Sequence, residues 1–169
     1  MTDPAPQWED QRLELPSKTK AIARMLTHRK ASIASSAPVG RKMPDGTVYA
    51  GTLPNGRRLF AMPWDADVAM KFNAAAAYAQ RLNNNKKHGH DDWHIPSKEE
   101  LNLLVENRNK GALKGTFNEN WHDEETDGDY WSSTRAPSGT YNLMYTQRPV
   151  DGAVSQVDVN CRAWVRCVR

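Results

Sequence analysis

The run Asp91-Asp92-Trp93-His94-Ile95-Pro96-Ser97-Lys98-Glu99-Glu100-Leu101 constrains the fold more than any other stretch of this chain. Trp93 and Ile95 alternate with polar residues, the pattern of a short extended segment buried on one side. Pro96 bars the residue before it from helix and closes that segment. Ser97 with Glu100 three residues on forms a capping box, in which the hydroxyl accepts from the Glu100 amide and the carboxylate from the Ser97 amide. Leu101, Leu104 and Val105 then lay an apolar stripe along the new helix. The chain must turn here from extended segment to helix, with a Trp pinning one arm of the corner and a Leu stripe the other.

Composition sets the frame around that corner. Apolar content is 38% over 169 residues, and mean hydropathy is -0.79. These values imply that part of the chain is extended or buried only against a partner. Six Trp offset the shortfall, because each aromatic buries a large area. Two Cys, both near the C-terminus, are too few for a disulfide-built scaffold. No apolar run approaches the ~20 residues that span a bilayer. The opening Met1-Thr2-Asp3-Pro4-Ala5-Pro6 lacks the basic-then-apolar pattern of a signal peptide. The expectation is cytoplasmic synthesis, followed by incorporation into a virion or export by a non-Sec route.

Residues 1–42 read as a basic arm and 43–169 as the domain. Pro4, Pro6, Pro16 and Pro38 break up the arm, and Ala31 to Ala37 reads as linker. Between Ser17 and Lys42 stand Lys18, Lys20, Arg24, Arg29, Lys30, Arg41 and Lys42, with no Asp or Glu. Ser17 is placed to cap a short helix striped by Ala21, Ile22, Met25 and Leu26. Such a helix suits nucleic acid, an anionic membrane or an acidic protein groove. Aromatic residues for base stacking are missing, which disfavours nucleic acid and favours an arm that tethers the domain to a larger assembly.

Within the domain, Thr47–Ala50 and Arg58–Met62 read as a β-hairpin about the Leu53-Pro54-Asn55-Gly56 turn. Phe72–Leu82 reads as a helix with Phe72, Ala75, Ala76, Ala79 and Leu82 on one face, stopped by Asn83-Asn84-Asn85. The corner helix runs to about Asn107. Strands follow at Tyr130–Thr134, Tyr141–Gln147, Ala153–Asp158 and Ala163–Val168, the last apolar enough to lie inside a sheet. Two helices packed on a mainly antiparallel sheet make an α+β plan.

Several motifs in order carry a resemblance. They are Asp45-Gly46-Thr47-Val48-Tyr49-Ala50-Gly51, the run from Gly89 to Leu101, Tyr130-Trp131-Ser132-Ser133-Thr134 and the final Val165-Arg166-Cys167-Val168-Arg169. Over about Met43 to Arg169 the chain resembles the Lcl C-terminal domain family, a domain of unknown function named for a collagen-like bacterial adhesin. The resemblance implies a C-type lectin-like fold, distantly related to formylglycine-generating enzyme and to the variable proteins of diversity-generating retroelements. Sites are grafted onto folds, so it implies less about function than about architecture. His94 stands where the family usually has Arg.

Three clusters then need weighing. His88, His90, Asp91, Asp92 and His94 are the donor types a transition metal takes, yet they coincide with the structural corner and read more simply as a surface loop. Asp123, Asp127 and Asp129, in the acidic run from His122, offer the hard oxygens Ca²⁺ needs; the implied fold often holds Ca²⁺ in second-half loops, whereas charge runs usually just face water. Cys161 and Cys167 invite comparison with the closely spaced Cys pair of the enzyme relative. On one straight strand, however, they would lie too far apart to bridge. What remains is a binding surface dense in adaptable side chains: Arg135, Tyr141, Asn142, Tyr145, Gln147, Asn160 and Arg162. In the retroelement relatives the ligand face comes from this region. The bland alternative is that these are ordinary exposed strand and loop residues.

The function expected is therefore a non-enzymatic, adhesin-like domain recognising a glycan or protein receptor on a bacterial or phage surface assembly, with homo-oligomerisation left open. The alternatives are a structural virion component without its own ligand, and an oxidase like formylglycine-generating enzyme.

Overall fold

The structure, a computed structural model, describes residues 37–119, 128–137 and 142–169. By contacts the chain divides into units Met1–Ala37 and Pro38–Arg169. Residues just after Pro38 are bonded into the second unit, with Gly40 N–H donating to Tyr49 O at 2.8 Å and Gly40 O accepting from Ala112 N–H at 2.7 Å. A Cβ on Gly40 would stand 2.1 Å from the Lys110 carbonyl oxygen, so only glycine fits this crossing.

The hairpin forms as expected, from β1 (Val48–Thr52) and β2 (Arg58–Ala61). Its turn closes with Gly56 N–H on Leu53 O at 2.9 Å. Val48, Ala50, Leu59 and Ala61 are fully buried, while Tyr49 and Phe60 face the other way. A bulge at Gly51, where φ is 137°, lets β1 pass close under Leu103 and Asn107.

Helix α1 runs Phe72–Asn84, two residues beyond its expected end at Leu82, and buries Ala75, Ala79 and Leu82. Ala76, expected on that face, is exposed. The asparagines do more than stop the helix. Asn83 takes both backbone groups of Trp93, donating to its carbonyl at 2.9 Å and accepting from its N–H at 2.7 Å. The Trp93 indole N–H reaches Lys87 O at 2.8 Å.

Helix α2 spans Lys98–Glu106 and carries both bonds of the capping box at Ser97 and Glu100. Leu101, Leu104 and Val105 are buried, as the stripe required. A second sheet has the antiparallel order β3-β4-β5, with β3 at Tyr130–Arg135, β4 at Leu143–Gln147 and β5 at Val154–Asp158. Among the described residues, the α+β plan of two helices with antiparallel sheets is thus the one observed.

The expected fourth strand at Ala163–Val168 is not a strand of either sheet. It forms isolated bridges instead: Ala163 with Met70, Trp164 with Tyr130, and Val168 with both Ala61 and His94. Successive residues bond to different neighbours, so no continuous ladder builds. The segment is nonetheless extended in pattern and buried. Ala163, Val165 and Cys167 enter the core of α1, Trp93, Ile95, Trp131 and Met144. Val168, with Trp164 packed at its margin, enters the core of the hairpin, α2 and Tyr130. Alternation of side chains along this one segment joins the two cores.

Candidate functional site

Four residues of α2, Glu99, Asn102, Leu103 and Glu106, recur at i, i+3, i+4 and i+7 on the side opposite the buried stripe. With Lys98 they form one wall of an open groove of about 610 Å³. The hairpin turn supplies Thr52, Leu53 and Pro54 as the facing wall, and β4 and β5 contribute Gln147 and Val154. Leu53, Pro54, Leu103 and Val154 give an apolar lining; the amides and charges give directional contacts. This mixture is characteristic of recognition sites.

The walls are locked together. Glu100, only 3% exposed, accepts from the Arg57 guanidinium beside the hairpin turn. The same carboxylate accepts from Ser97 N–H at 2.7 Å and lies 3.2 Å from His94 Nε2. One buried acid therefore caps α2 and fixes the hairpin against it. The rim is ordered as well. Gln147 Nε2 donates to Asn102 Oδ1 at 3.1 Å and to Gly152 O at 3.2 Å, and Asn102 Nδ2 donates to Glu106 Oε1 at 2.8 Å. The ammonium of Lys98 sits 4.0 Å from the centroid of the Tyr145 ring. Glu99 is exposed, and its own amide and the Ser97 hydroxyl hold its carboxyl below the ordinary value.

The structure divides the residues expected to bind ligand. Gln147 lines the groove, and Tyr145 adjoins it through Lys98. Arg135 and Asn142 bond to each other at the far end of the same strand pair. Asn160 is turned in on Asp158, its amide N–H and side chain both 2.9 Å from that carboxylate. Arg162 reaches across to Ala69 O at 3.3 Å. Tyr141 lies outside the described residues. So do Asp123 and Asp127 of the acidic loop. Asp129 is buried and accepts from the Thr146 hydroxyl at 2.6 Å.

The histidines of the corner serve the scaffold. His90 Nε2 lies 2.9 Å from Asp45 Oδ2, and His88 Nδ1 lies 2.8 Å from Asp45 O. His94, as above, meets Glu100. Among the described residues no three His, Cys, Asp or Glu side chains gather into a metal shell. The thiols are free, Cys161 exposed and Cys167 buried. Burial pushes the Cys167 thiol up to about 12, so it stays protonated at neutral pH.

The Lcl C-terminal domain model matches residues 28–169. This chain belongs to that family. Among solved structures, that of botrocetin is similar with a TM-score of 0.43 at 10% identity, covering 75% of this chain and 97% of that chain. No curated protein matches. For this Lcl C-terminal domain, then, the groove has to be read from its own residues. The expectations drawn from composition missed most of it. The helical spacing of Glu99, Asn102, Leu103 and Glu106 was the available signal, with a leucine standing among polar residues on the outward face.

Proposed function

We propose that this Lcl C-terminal domain is a non-enzymatic, C-type lectin-like binding module that recognises a glycan or a protein receptor through the groove between the hairpin turn and α2. The basic N-terminal arm would hold it on a larger assembly at a bacterial or phage surface. The supporting observation is the groove's construction: an apolar lining, a hydrogen-bonded rim and two walls joined by the Arg57–Glu100 pair. A preorganised site of this kind spends little of its binding energy on ordering itself. Burial of Cys167 speaks against its acting with the exposed Cys161 as a reactive pair, since a reactive thiol has to be accessible.

Glu99→Ala and Asn102→Ala, both at exposed positions of α2, test the reading. Retention on a glycan array or receptor-bearing surface, with and without Ca²⁺, should fall about tenfold or more while the melting temperature holds. Retention unchanged in both variants, but lost on alanine substitution at Asn142 and Arg162, would move the site to the far ends of the sheet. Turnover that depends on thiol and oxygen and dies with Cys161→Ser would replace binding by oxidation.

A further inference from the structure

Among the described residues β5 is the edge of its sheet, with β4 as its neighbour on one side. Edge strands in soluble domains are commonly blunted by Lys, Pro, a bulge or a covering loop, because an open edge is a template for another strand. Val154-Ser155-Gln156-Val157-Asp158 has no Lys or Pro, and its one charge, Asp158, stands at the end of the strand and holds Asn160. Its pairing to β4 runs unbroken from Leu143↔Asp158 to Gln147↔Val154, without a bulge. Val154 is 47% exposed and Val150, in the turn leading to it, 36%.

Parity decides which backbone groups face outward. Arg148 N–H bonds to Ala153 O at 2.8 Å and Val159 N–H to Asn142 O at 3.0 Å, both continuing the β4–β5 register. Bonded and non-bonded pairs alternate in an antiparallel ladder. Ser155 and Val157 therefore turn their amides and carbonyls toward β4, and Val154 and Gln156 turn theirs away from it. Side chains alternate too, which puts Val154, Gln156 and Asp158 on the face of Gln147 and Tyr145, beside the groove. Of the three charged residues lining the groove, Glu99 and Glu106 on α2 are acidic, and the third, Lys98, rests its ammonium on Tyr145. Arg148 and Asp151 at the turn pair with each other.

We propose that the outer edge of β5 takes up an extended segment of a partner polypeptide as an added strand, with its basic and apolar side chains directed over the groove. Backbone bonds to Val154 and Gln156 supply the pairing; Glu99, Glu106 and Val154 select the side chains. The inference rests on the groove being the binding face and specifies the class of partner it accepts.

The test uses the full chain and a fluorescein-labelled synthetic peptide that alternates threonine with lysine and valine, followed by anisotropy. The parent peptide binds. The same peptide N-methylated at alternate amides binds about tenfold or more weakly, as does a version with glutamate for lysine. Gln156→Pro removes an outward amide that β4 does not use, and weakens binding similarly while far-UV circular dichroism is unchanged. Should that variant fail to fold, the N-methylated peptide decides alone. Equal affinity of parent and N-methylated peptides overturns strand addition, even if Glu99→Ala weakens both. If no peptide binds while the groove variants still lose surface retention, the edge is ruled out and the groove stands. A dimer of the free chain that Gln156→Pro dissociates identifies a second copy as the occupant and also overturns the proposal.

Discussion

Arg166 and Asp65 form an ion pair inside the protein: the guanidinium is fully buried, and its Nε donates to Asp65 Oδ1 at 2.7 Å. Three further groups complete the arrangement. Arg166 Nη1 donates to Thr116 Oγ1 at 2.7 Å, its guanidinium lies 3.9 Å from the Phe117 ring centroid, and the Tyr130 hydroxyl donates to the same carboxylate. Burial pushes the Asp65 carboxyl up, and the Arg166 charge pulls it back. The pair ties the C-terminal segment to both the loop after β2 and the loop after α2.

Arg166→Ala should lower unfolding free energy by about 3–5 kcal/mol, because it strands a buried carboxylate rather than merely deleting a contact. Urea denaturation measures this directly. A loss below about 1 kcal/mol would mean that Asp65 is solvated and the pair peripheral.

Asn83→Ala removes the two bonds that hold the Trp93 backbone to α1. The expected cost is about 1–3 kcal/mol, since the Trp93 N–H and C=O are left buried without that partner. Near-UV circular dichroism should change alongside, because the indole is fixed through the same segment. Asn83→Asp keeps the acceptor for Trp93 N–H and should recover part of the loss.

Asp45 makes stability depend on acid. Burial pushes its carboxyl up, but the bonds from His90 and from the Thr47 amide and hydroxyl, with the Arg169 charge, outweigh this and bring it from 3.8 down to about 2. A depressed carboxyl stabilises the fold fully above its unfolded value and loses that contribution as pH falls through the folded one. Wild type should therefore lose stability between about pH 4 and pH 2, and Asp45→Asn should lose less over the same window. Melting temperatures of the two proteins across that range are the readout; parallel curves would remove Asp45 from the account.

The two thiols should differ in reactivity. An aromatic disulfide reagent at neutral pH should label exposed Cys161 in the native protein and reach buried Cys167 only on denaturation. Cys161→Ser should abolish native labelling without shifting the melting temperature. Rapid labelling of Cys167 in the native state would show that the C-terminal segment opens.

Local rules made much of the scaffold readable in advance. The capping box at Ser97 and Glu100, the stripe of Leu101, Leu104 and Val105, and the turn at Leu53–Gly56 depend on residues within a few positions of each other, and each appears as its pattern dictates. The family was legible for the same reason, since its motifs are ordered runs. Candidate site residues were less legible. Tyr145 and Gln147 share a face of β4 beside the groove, but Asn160 and Arg162, close in sequence, turn to different neighbours.

The sequence by itself determined where the chain turns, which faces are apolar and that residues 91–101 form the corner. Tertiary structure alone decided what that corner serves. Glu100 is written as half of a local cap, yet it also receives Arg57 from 43 residues away and so sets the two walls of the groove. Arg166 is an ordinary basic residue in an apolar run until Asp65, 101 residues distant, meets it in the interior. The same holds for the C-terminal segment: its alternation announced a strand, but its neighbours proved to be Ala61, Met70, His94 and Tyr130 rather than one partner strand. Hydrogen bonding and periodicity act over a turn of chain and leave a mark in sequence. Which distant groups share a low-dielectric interior depends on how the whole chain packs, and no local pattern encodes it.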